Sequence, residues 1–415
     1  SEDERLALLR QCVISKADYV EIELESAQAV RRFGTSKRVI SYTNLKETPA
    51  DIDAMYDQCR GRDPDVVKLV SVARTPEEAW PLVQIVARSP VPTVVVGLGR
   101  ANTMLCLLGK KLGAPWVYAA LERGMEAYPG QPTVDDLTNI FRFESIVRST
   151  KFIGVIGQSP RDLARIACLN AAFAECELNL RCLPLEVGNP RIFRKLIDVV
   201  KLQALVADEA SQERLKDLDI DLHGTARKTS MLDVIVPKDD GLHGFHKGAR
   251  ACLERLGATL DSESDRPLKD RIVMLAGLTP WTSLIAAEVQ AQGGNAVLAS
   301  NDKGTGLSMA REHSCRYVQW EAIYSTLHDV LIVMTPDAAA AIQANYVKPG
   351  QAVVDLTAHL TPTPLLIEAE RRGALVVSPI EIFLDETTEI ARMLTAKPIE
   401  REMLREAIPE RLLDH

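Results

Sequence analysis

The sequence predicts an α/β protein with parallel sheets: a partial (β/α) barrel, then a two-lobed unit that ends in a doubly wound sheet. Two observations predict this class. Short β-branched runs alternate with longer amphipathic segments along the whole chain, which is typical of strands joined by crossover helices. The length of 415 residues exceeds one ordinary core, so several domains are expected.

The first series of strand-like runs occupies residues 1–150. Five apolar runs occur there, each followed by a candidate helix: YVEIEL, RVISY, VVKLVSVA, TVVVGLG and WVYAAL. A closed (β/α) barrel needs eight strands, so the first strands of a barrel are absent. An open barrel edge exposes backbone and apolar surface, and we therefore expect a compensating contact such as a second copy of the chain.

Two further series follow, and they predict a lobe at 151–265 and a doubly wound lobe at 266–380. The first contains KFIGVIG, LRCLPLEV, LQALVAD and MLDVIVP before a helix around HKGARACLERLG. The second contains DRIVMLAG, NAVLASND, DVLIVMTP, QAVVDLT and LVVSP. Charged amphipathic helices at 381–415 are expected to pack back on the preceding lobe.

Composition narrows the classes of function. The formal net charge is −8 and the basic residues are scattered, which argues against direct nucleic-acid binding. No apolar run approaches the roughly 18 residues of a membrane span, and no signal peptide is expected. The eight cysteines form no C-x-x-C pair, so we expect reduced thiols and an intracellular location, in the cytoplasm, the nucleus or both. Because the chain begins at Ser1, it is expected to be part of something longer.

A metal site is not expected from the sequence. His243 and His246, in LHGFH, could supply two ligands, but no cysteine or further histidine lies nearby in the sequence to complete a set.

Several motifs in the first part of the chain occur in a known family order. DYVEIEL, VISYTNLKETP, VVKLVSVA and YPGQPTVDDL make residues 17–137 resemble type I 3-dehydroquinate dehydratase. By this resemblance, Lys68 matches the lysine that forms an imine with the substrate ketone, and Gln131 matches a ligand-binding residue. The proton-shuttling histidine of the family is Thr43 here, and the carboxylate-binding arginine is Cys106. Lys68 and Gln131 are therefore the candidate ligand-binding residues.

From residue 151 to about 396 the chain resembles shikimate dehydrogenase, through KFIGVIGQSP, CLNAAF and TPLLIEAERRGALVVSPIEIF. The family's two substrate serines fall near Arg161 and Leu163. Its catalytic lysine falls at Ser211, and its catalytic aspartate has no counterpart in GFHKG. Glu386 stands where the family has a substrate-binding glutamine, and we expect it to repel a carboxylate ligand.

The dinucleotide loop departs from the pattern that cradles a pyrophosphate. In LAGLTPWT only Gly277 remains, Pro280 removes an amide donor, and Trp281 stands at the helix start. Asp302 replaces the arginine that would bind a 2′-phosphate. No bound cofactor is expected, and the doubly wound lobe is interpreted as structural.

The order dehydratase then dehydrogenase is that of the C-terminal part of the fungal arom polypeptide. A scaffold with this order and altered catalytic positions resembles the family of fungal repressor proteins of quinate catabolism. The resemblance implies an inactive relative of the enzymes that represses transcription, binds a transcription activator protein, and senses a quinate or shikimate-pathway metabolite. Two alternatives remain: a divergent bifunctional dehydratase and dehydrogenase, and a scaffold module that binds no ligand.

Overall fold

A computed structural model of the chain describes residues 1–208, 211–260, 266–357 and 360–413. The chain divides into two compact units. Unit 1 comprises Ser1–Gly157 and Asn179–Gln203, and unit 2 comprises Gln158–Leu178 and Ala204–His415. The boundaries near residues 150, 265 and 380 follow the order of motifs in the sequence, and they stay predictions. No helix of the described chain is both long and apolar enough to cross a membrane.

Helices and strands alternate through both units. The helices in chain order are α1 (Glu2–Ile14), α2 (Ile52–Arg60), α3 (Pro76–Arg88), α4 (Asn102–Leu112), α5 (Pro160–Glu175), α6 (Pro190–Val200), α7 (Gln212–Leu215), α8 (Thr225–Thr229), α9 (Gly248–Thr259), α10 (Pro280–Ala291), α11 (Lys303–Glu312), α12 (Pro336–Ala341), α13 (Pro364–Arg371), α14 (Pro379–Thr395) and α15 (Arg401–Glu406). The strands are β1 (Tyr19–Glu23), β2 (Lys37–Thr43), β3 (Val66–Val72), β4 (Thr93–Leu98), β5 (Lys151–Ile156), β6 (Leu180–Leu185), β7 (Ala204–Ala207), β8 (Ile220–Leu222), β9 (Val234–Lys238), β10 (Gly241–Phe245), β11 (Ile272–Ala276), β12 (Asn295–Ser300), β13 (Arg316–Gln319), β14 (Val330–Val333), β15 (Ala352–Asp355) and β16 (Leu375–Val377).

Unit 1 is built on a parallel sheet of four strands in the order β1-β2-β3-β4. Helices α2, α3 and α4 connect or follow these strands, as expected for consecutive βα units. The register places Ser41 opposite Lys68 and Thr43 opposite Val70, so these four residues share one face of the sheet. Unit 1 also contains the parallel pair β5 and β6, with helix α6 after it.

The fifth strand predicted for the first series does not form. The segment WVYAAL makes one isolated bridge, between Ala120 and Thr133, in place of a ladder. Trp116 and Tyr118 instead pack against a cluster of buried valines on β2, β3 and β4. The alternating apolar residues that predicted a strand therefore cover the sheet instead. Their aromatic side chains can pack on the sheet although the segment has no strand beside it to hydrogen-bond with.

Unit 2 contains two groups of paired strands. In the first, β7 and β10 each run antiparallel to β9, and the short edge strand β8 runs parallel to β10. The second is a sheet of six parallel strands in the order β13-β12-β11-β14-β15-β16. That order, with helices between the strands, is the doubly wound arrangement of dinucleotide-binding folds, and it confirms the predicted α/β class. Apolar residues pack on both of its faces.

The C-terminal helices complete unit 2. Helix α14 packs against α9 and α5, and α15 packs against α5 and α14. Three arginines bind the acidic side of α14: Arg255 and Arg401 pair with Asp385, and Arg401 and Arg405 pair with Glu381. These ion pairs join α14 to α9 and α15, and the candidate site lies where α14 meets the start of α5.

Candidate functional site

A pocket of about 280 Å³ lies in unit 2. It is bordered by the first turns of α5, the residues after β7, the start of β9, the loop before α9, the first turn of α10 and helix α14. The polar and aromatic lining residues used below are Arg161, Asp162, Arg165, Asp233, His246, Trp281 and Glu386.

A buried ion-pair cluster forms one wall. Arg161 and Arg165 are four residues apart on α5, so both face the same side of the helix. Each donates through Nη2 to Glu386, at 2.9 Å and 2.8 Å. Arg165 and Glu386 are each only 3% exposed. Burial alone would raise the pKa of Glu386, but the two guanidinium groups outweigh it, and the net pKa of Glu386 is lowered. The repulsion of a carboxylate ligand expected from Glu386 is therefore offset by two positive charges.

The N-terminus of α5 places a second carboxylate in the pocket. Ser159 caps the helix, and Asp162 accepts from the Ser159 backbone N–H at 3.0 Å and from its hydroxyl at 2.7 Å. Both of those bonds go to Oδ2, and the buried Oδ1 has no hydrogen-bond partner. Burial raises the pKa of Asp162, although nearby Arg165 acts in the opposite direction. This carboxyl group is thus oriented by the helix cap with one oxygen left for another partner.

Asp233 and His246 form another part of the pocket lining. Asp233 precedes β9, and its Oδ2 accepts from the backbone N–H groups of Lys247 and Gly248, each at 2.7 Å. His246 Nδ1 lies 3.4 Å from the same oxygen, and both side chains are at most 3% exposed. Burial raises the pKa of Asp233, against the opposing effect of His246. Trp281 stands edge-on to the His246 ring at 5.3 Å and closes this side.

Four polar atoms of the pocket are buried and have no hydrogen-bond partner: Arg165 Nε, Asp162 Oδ1, Asp233 Oδ1 and His246 Nδ1. Leaving such a group unsatisfied costs about 1–3 kcal/mol each. All four atoms belong to residues that line the pocket, so a bound molecule with several hydroxyl or carboxyl oxygens, reached by small side-chain movements, would recover part of this cost.

Several positions where the sequence departs from the dehydrogenase family lie in unit 2. Ser211 lies at the start of α7, where its hydroxyl donates to Asp208. Gly277 has φ +100°, and Thr279 caps α10 by accepting from the backbone N–H of Trp281. Asp302 caps α11 by accepting from the N–H and hydroxyl of Thr305 at 3.0 Å and 2.6 Å. Pro280 is the first residue of α10, so it contributes no N–H at the helix start.

Lys68 lies in a separate cluster in unit 1. Its ammonium donates to both carboxylate oxygens of Glu21, at 3.0 Å and 2.9 Å, and lies 4.8 Å from the centre of the Tyr118 ring. Burial alone would lower the pKa of Lys68, but hydrogen bonding and charge from Glu21 outweigh it and raise the pKa. The amine is thus held in its protonated form, whereas imine formation needs the free amine.

Besides Lys68, the dehydratase-like positions are Thr43, Cys106 and Gln131. Thr43 lies on the same sheet face, on the neighbouring strand β2. Cys106 is buried on α4, where its sulfur accepts from Asn102 at 3.7 Å, and burial raises its pKa to about 12. Gln131 accepts from the backbone N–H of Ala127 at 2.7 Å, which orients its amide within its own loop. The roles predicted for Lys68 and Gln131 stay predictions.

Both parts of the chain are similar to known proteins. Residues 1–148 match the type I 3-dehydroquinase family. The chloroplastic bifunctional 3-dehydroquinate dehydratase/shikimate dehydrogenase of Arabidopsis thaliana is 23% identical over 97% of this chain and 71% of its own length. The 3-dehydroquinate dehydratase of Methanopyrus kandleri is 31% identical over 32% of this chain and 62% of its own length.

Solved structures agree on the fold. The dehydroquinate dehydratase and shikimate dehydrogenase of S. pombe AroM aligns with 98% of this chain and 82% of that one, at a TM-score of 0.51 and 16% identity. Shikimate dehydrogenase from Aquifex aeolicus aligns with 62% of this chain and 97% of its own, at a TM-score of 0.55 and 16% identity. The chain therefore carries a type I dehydroquinase domain followed by a shikimate dehydrogenase-like fold, in the order of an arom-type bifunctional protein.

These comparisons correct one prediction. The altered positions at Thr43, Cys106 and Ser211 led to the expectation that the chain is not an enzyme. The relatives named above that span the chain are dehydratases and dehydrogenases, so that expectation was wrong. The error was to treat the loss of particular family residues as the loss of all activity.

The pocket lining includes four residues that were not predicted from the sequence to lie in a pocket: Asp162, Arg165, Asp233 and His246. One signal was available: Asp162 and Arg165 lie next to apolar residues in the first turns of α5, and Asp233 directly precedes the apolar start of β9. Charged residues in apolar runs are costly unless they are paired, so they mark sites.

Proposed function

We propose that unit 2 binds a small polyhydroxylated ring acid, of the chemical class to which shikimate belongs, in the pocket between Arg165 and Asp233. The observation that carries this proposal is that four buried polar atoms without a hydrogen-bond partner belong to residues that line one cavity. The volume of about 280 Å³ is near the lower limit of small-molecule pockets, which span about 300–1,000 Å³, and so suits a compact ligand.

The charges of the pocket favour hydroxyl groups on the ligand. Arg165 offers an N–H that can only donate, whereas Asp162 and Asp233 accept when ionised and donate when protonated. Since the pKa of each of these two carboxyl groups is raised by burial, each can share a proton with a hydroxyl. A ring with several hydroxyl groups can satisfy donors and acceptors of the lining at once.

Two known structures support the choice of ligand class. The shikimate 5-dehydrogenase of Thermus thermophilus was solved with NADP(H) and shikimate, and it aligns with 63% of this chain at a TM-score of 0.53. The enzyme of Listeria monocytogenes was solved with shikimate and NAD, with the same TM-score. Both share the fold, and the identity of 19% and 16% supports nothing finer than that.

The proposal is tested by thermal denaturation with shikimate, quinate, glucose and benzoate, each in excess. A ligand that binds only the native state raises the midpoint of unfolding. We expect a rise with shikimate or quinate and none with glucose, which lacks the carboxylate, or benzoate, which lacks the hydroxyls. Equal shifts with all four, or none with the ring acids, would overturn it.

A second candidate is catalysis of the two reactions named for the Arabidopsis relative, favoured by the alignment over 97% of this chain. In this case Lys68 carries the dehydratase step, and the pocket of unit 2 binds the substrate of the second. The assay follows formation of the conjugated product from 3-dehydroquinate by ultraviolet absorbance. Lys68→Met is the control, because any turnover that survives this change does not use the imine.

The regulatory partner expected from the resemblance, a transcription activator protein, remains a prediction. It is tested by measuring whether the purified chain and the activator form a complex in which added ring acid alters the affinity. A ligand changes that affinity only if it binds the free and complexed forms unequally.

A further inference from the structure

We propose that Asp221, His223 and His243 form a binding site for a divalent transition-metal ion, with Zn²⁺ as the expected occupant. The three residues lie on or just after β8 and on β10 of unit 2. Their ligand atoms converge: His223 Nε2 is 2.8 Å from His243 Nδ1 and 3.1 Å from Asp221 Oδ2, and His243 Nδ1 is 3.8 Å from that oxygen.

The backbone fixes this convergence. Strands β8 and β10 are parallel neighbours whose register sets Asp221 directly opposite His243, so the two side chains point to the same face. His223 follows β8 immediately, and its backbone N–H donates to the carbonyl of Gly244 at 2.9 Å. The site therefore depends on strand pairing rather than on the positions of free loops.

The distances suit a small metal ion. In a tetrahedral site with metal–ligand bonds of about 2.0–2.2 Å, the ligand atoms lie about 3.3–3.6 Å apart. The three observed separations bracket that range, so an ion would need movements of only a few tenths of an ångström. Two imidazoles and one carboxylate form a ligand set that catalytic zinc sites use, with the fourth position left to water.

A second carboxylate fixes the state of His243. Asp240 Oδ1 lies 2.8 Å from His243 Nε2, which therefore donates its proton to Asp240 and leaves the Nδ1 lone pair directed toward His223. A carboxylate that orients a ligating histidine through its other nitrogen is a common outer partner in metal sites. Asp221 is likewise held, through Oδ1, by Arg227 at 3.2 Å.

Without an ion, one proton has to satisfy two acceptors. His243 Nδ1 and Asp221 Oδ2 both face His223 Nε2, which carries at most one hydrogen. A cation at the centre would bind all three lone pairs together. Asp221 is 55% exposed and His223 is 34% exposed, so an ion from solvent can reach the site. When filled, it would attach the three-residue edge strand β8 to β10.

The test uses the whole chain after treatment with a chelator and its removal. Zn²⁺ is added in a calorimetric titration, with Mg²⁺, which prefers oxygen ligands, as the comparison ion. We expect one Zn²⁺ to bind, Mg²⁺ not to bind, and Asp240→Asn to weaken Zn²⁺ binding by about 10–100-fold. Asp221→Asn should weaken it at least as much. His313→Asn changes a histidine in another part of unit 2, and this variant should bind Zn²⁺ as tightly as the unchanged chain does.

Spectroscopy with Co²⁺ distinguishes this site from the cysteines. Ligands from Asp221, His223 and His243 give visible absorption bands of four- or five-coordinate Co²⁺ without the charge-transfer bands of thiolates. Asp221 and Asp240 are exposed, so their amide variants retain the fold, and far-ultraviolet circular dichroism checks this. Unchanged Zn²⁺ affinity in both variants, thiolate bands with Co²⁺, or tight Mg²⁺ binding would each overturn the proposal.

Discussion

Glu386 binds two arginines that differ in burial, and this difference predicts unequal effects of removing them. Arg165 is 3% exposed and Arg161 is 19% exposed. Removing the more buried arginine leaves Glu386 with one guanidinium group, and breaking a buried ion pair from one side costs up to about 3–5 kcal/mol. We expect Arg165→Met to lower the free energy of unfolding by that amount, measured by urea denaturation. Arg161→Met is the matched control and should cost less than half as much. Equal losses would contradict the buried-pair interpretation.

The same carboxylate predicts how stability changes with pH. The pKa of Glu386 is lowered in the folded state, so its contribution to stability is fully present above the unfolded value, near 4.5. That contribution is lost as the pH falls through the folded pKa. The stability difference between the unchanged chain and Glu386→Gln should therefore be largest above pH 4.5 and shrink in more acidic buffer. Glu389→Gln, at an exposed position on the same helix, should show almost no such trend.

Lys68 gives a residue-scale test of unit 1. Because Glu21 is what raises the pKa of Lys68 against the effect of burial, Glu21→Gln should release more free amine at neutral pH. We expect Lys68 to form a borohydride-trapped imine with an added aldehyde several-fold faster in this variant, measured by peptide mass spectrometry. Glu23→Gln, which changes a carboxylate paired with Arg5, is the control. No difference between the two variants would contradict the role assigned to Glu21.

Sequence reasoning identified Lys68 but not its environment. The family motif fixed its place on β3, whereas the opposing effect of Glu21 depends on the pairing of β1, β2 and β3. Asp233 shows the converse. The sequence contains no acid within GFHKG, yet the fold brings the carboxylate of Asp233, the residue just before β9, to the backbone of that segment. A motif lists neighbours along the chain, so it does not show a contact made by a residue that is distant in the sequence.

At the scale of elements, the loop between β11 and α10 is constrained by Gly277. This residue has φ +100°, and a Cβ added there would lie 2.5 Å from Thr335 Oγ1. We expect Gly277→Ala to destabilise the chain by about 1–3 kcal/mol in a urea titration. Gly304→Ala on α11 is the control, because its nearest atom would be 3.5 Å away and a helix favours alanine. If both changes were neutral, the constraint at Gly277 would be refuted.

Most long apolar strands could be predicted from the sequence, and the short or polar ones could not. The five runs predicted for the doubly wound lobe all form strands, because buried parallel strands need continuous apolar residues. Strand β8 has three residues and β10 contains two glycines and a histidine, so neither carries a clear pattern. These two strands are the ones that bring Asp221 and His243 together, which is why the metal-ligand cluster escaped the sequence analysis.

At the scale of the whole molecule, the order of motifs and the pattern of contacts give different partitions. The motifs change at residue 151, but Asn179–Gln203 belongs by contacts to unit 1. Motif order follows the chain, whereas a compact unit gathers segments that are distant in sequence. The pocket of unit 2 illustrates this, because its lining includes residues of both α5 and α14. Arg161 and Glu386, which form an ion pair there, are 225 residues apart in the sequence.

The most direct test of the proposed function is a calorimetric titration of the chain with shikimate, in parallel with Asp233→Asn and the exposed control Asp239→Asn. The control change lies outside the pocket lining. We predict that the unchanged chain and the control each bind one molecule of shikimate. We predict that Asp233→Asn binds it at least 10-fold more weakly. Absence of binding by the unchanged chain, or equal affinity in all three proteins, would contradict the assignment of this pocket to a polyhydroxylated ring acid.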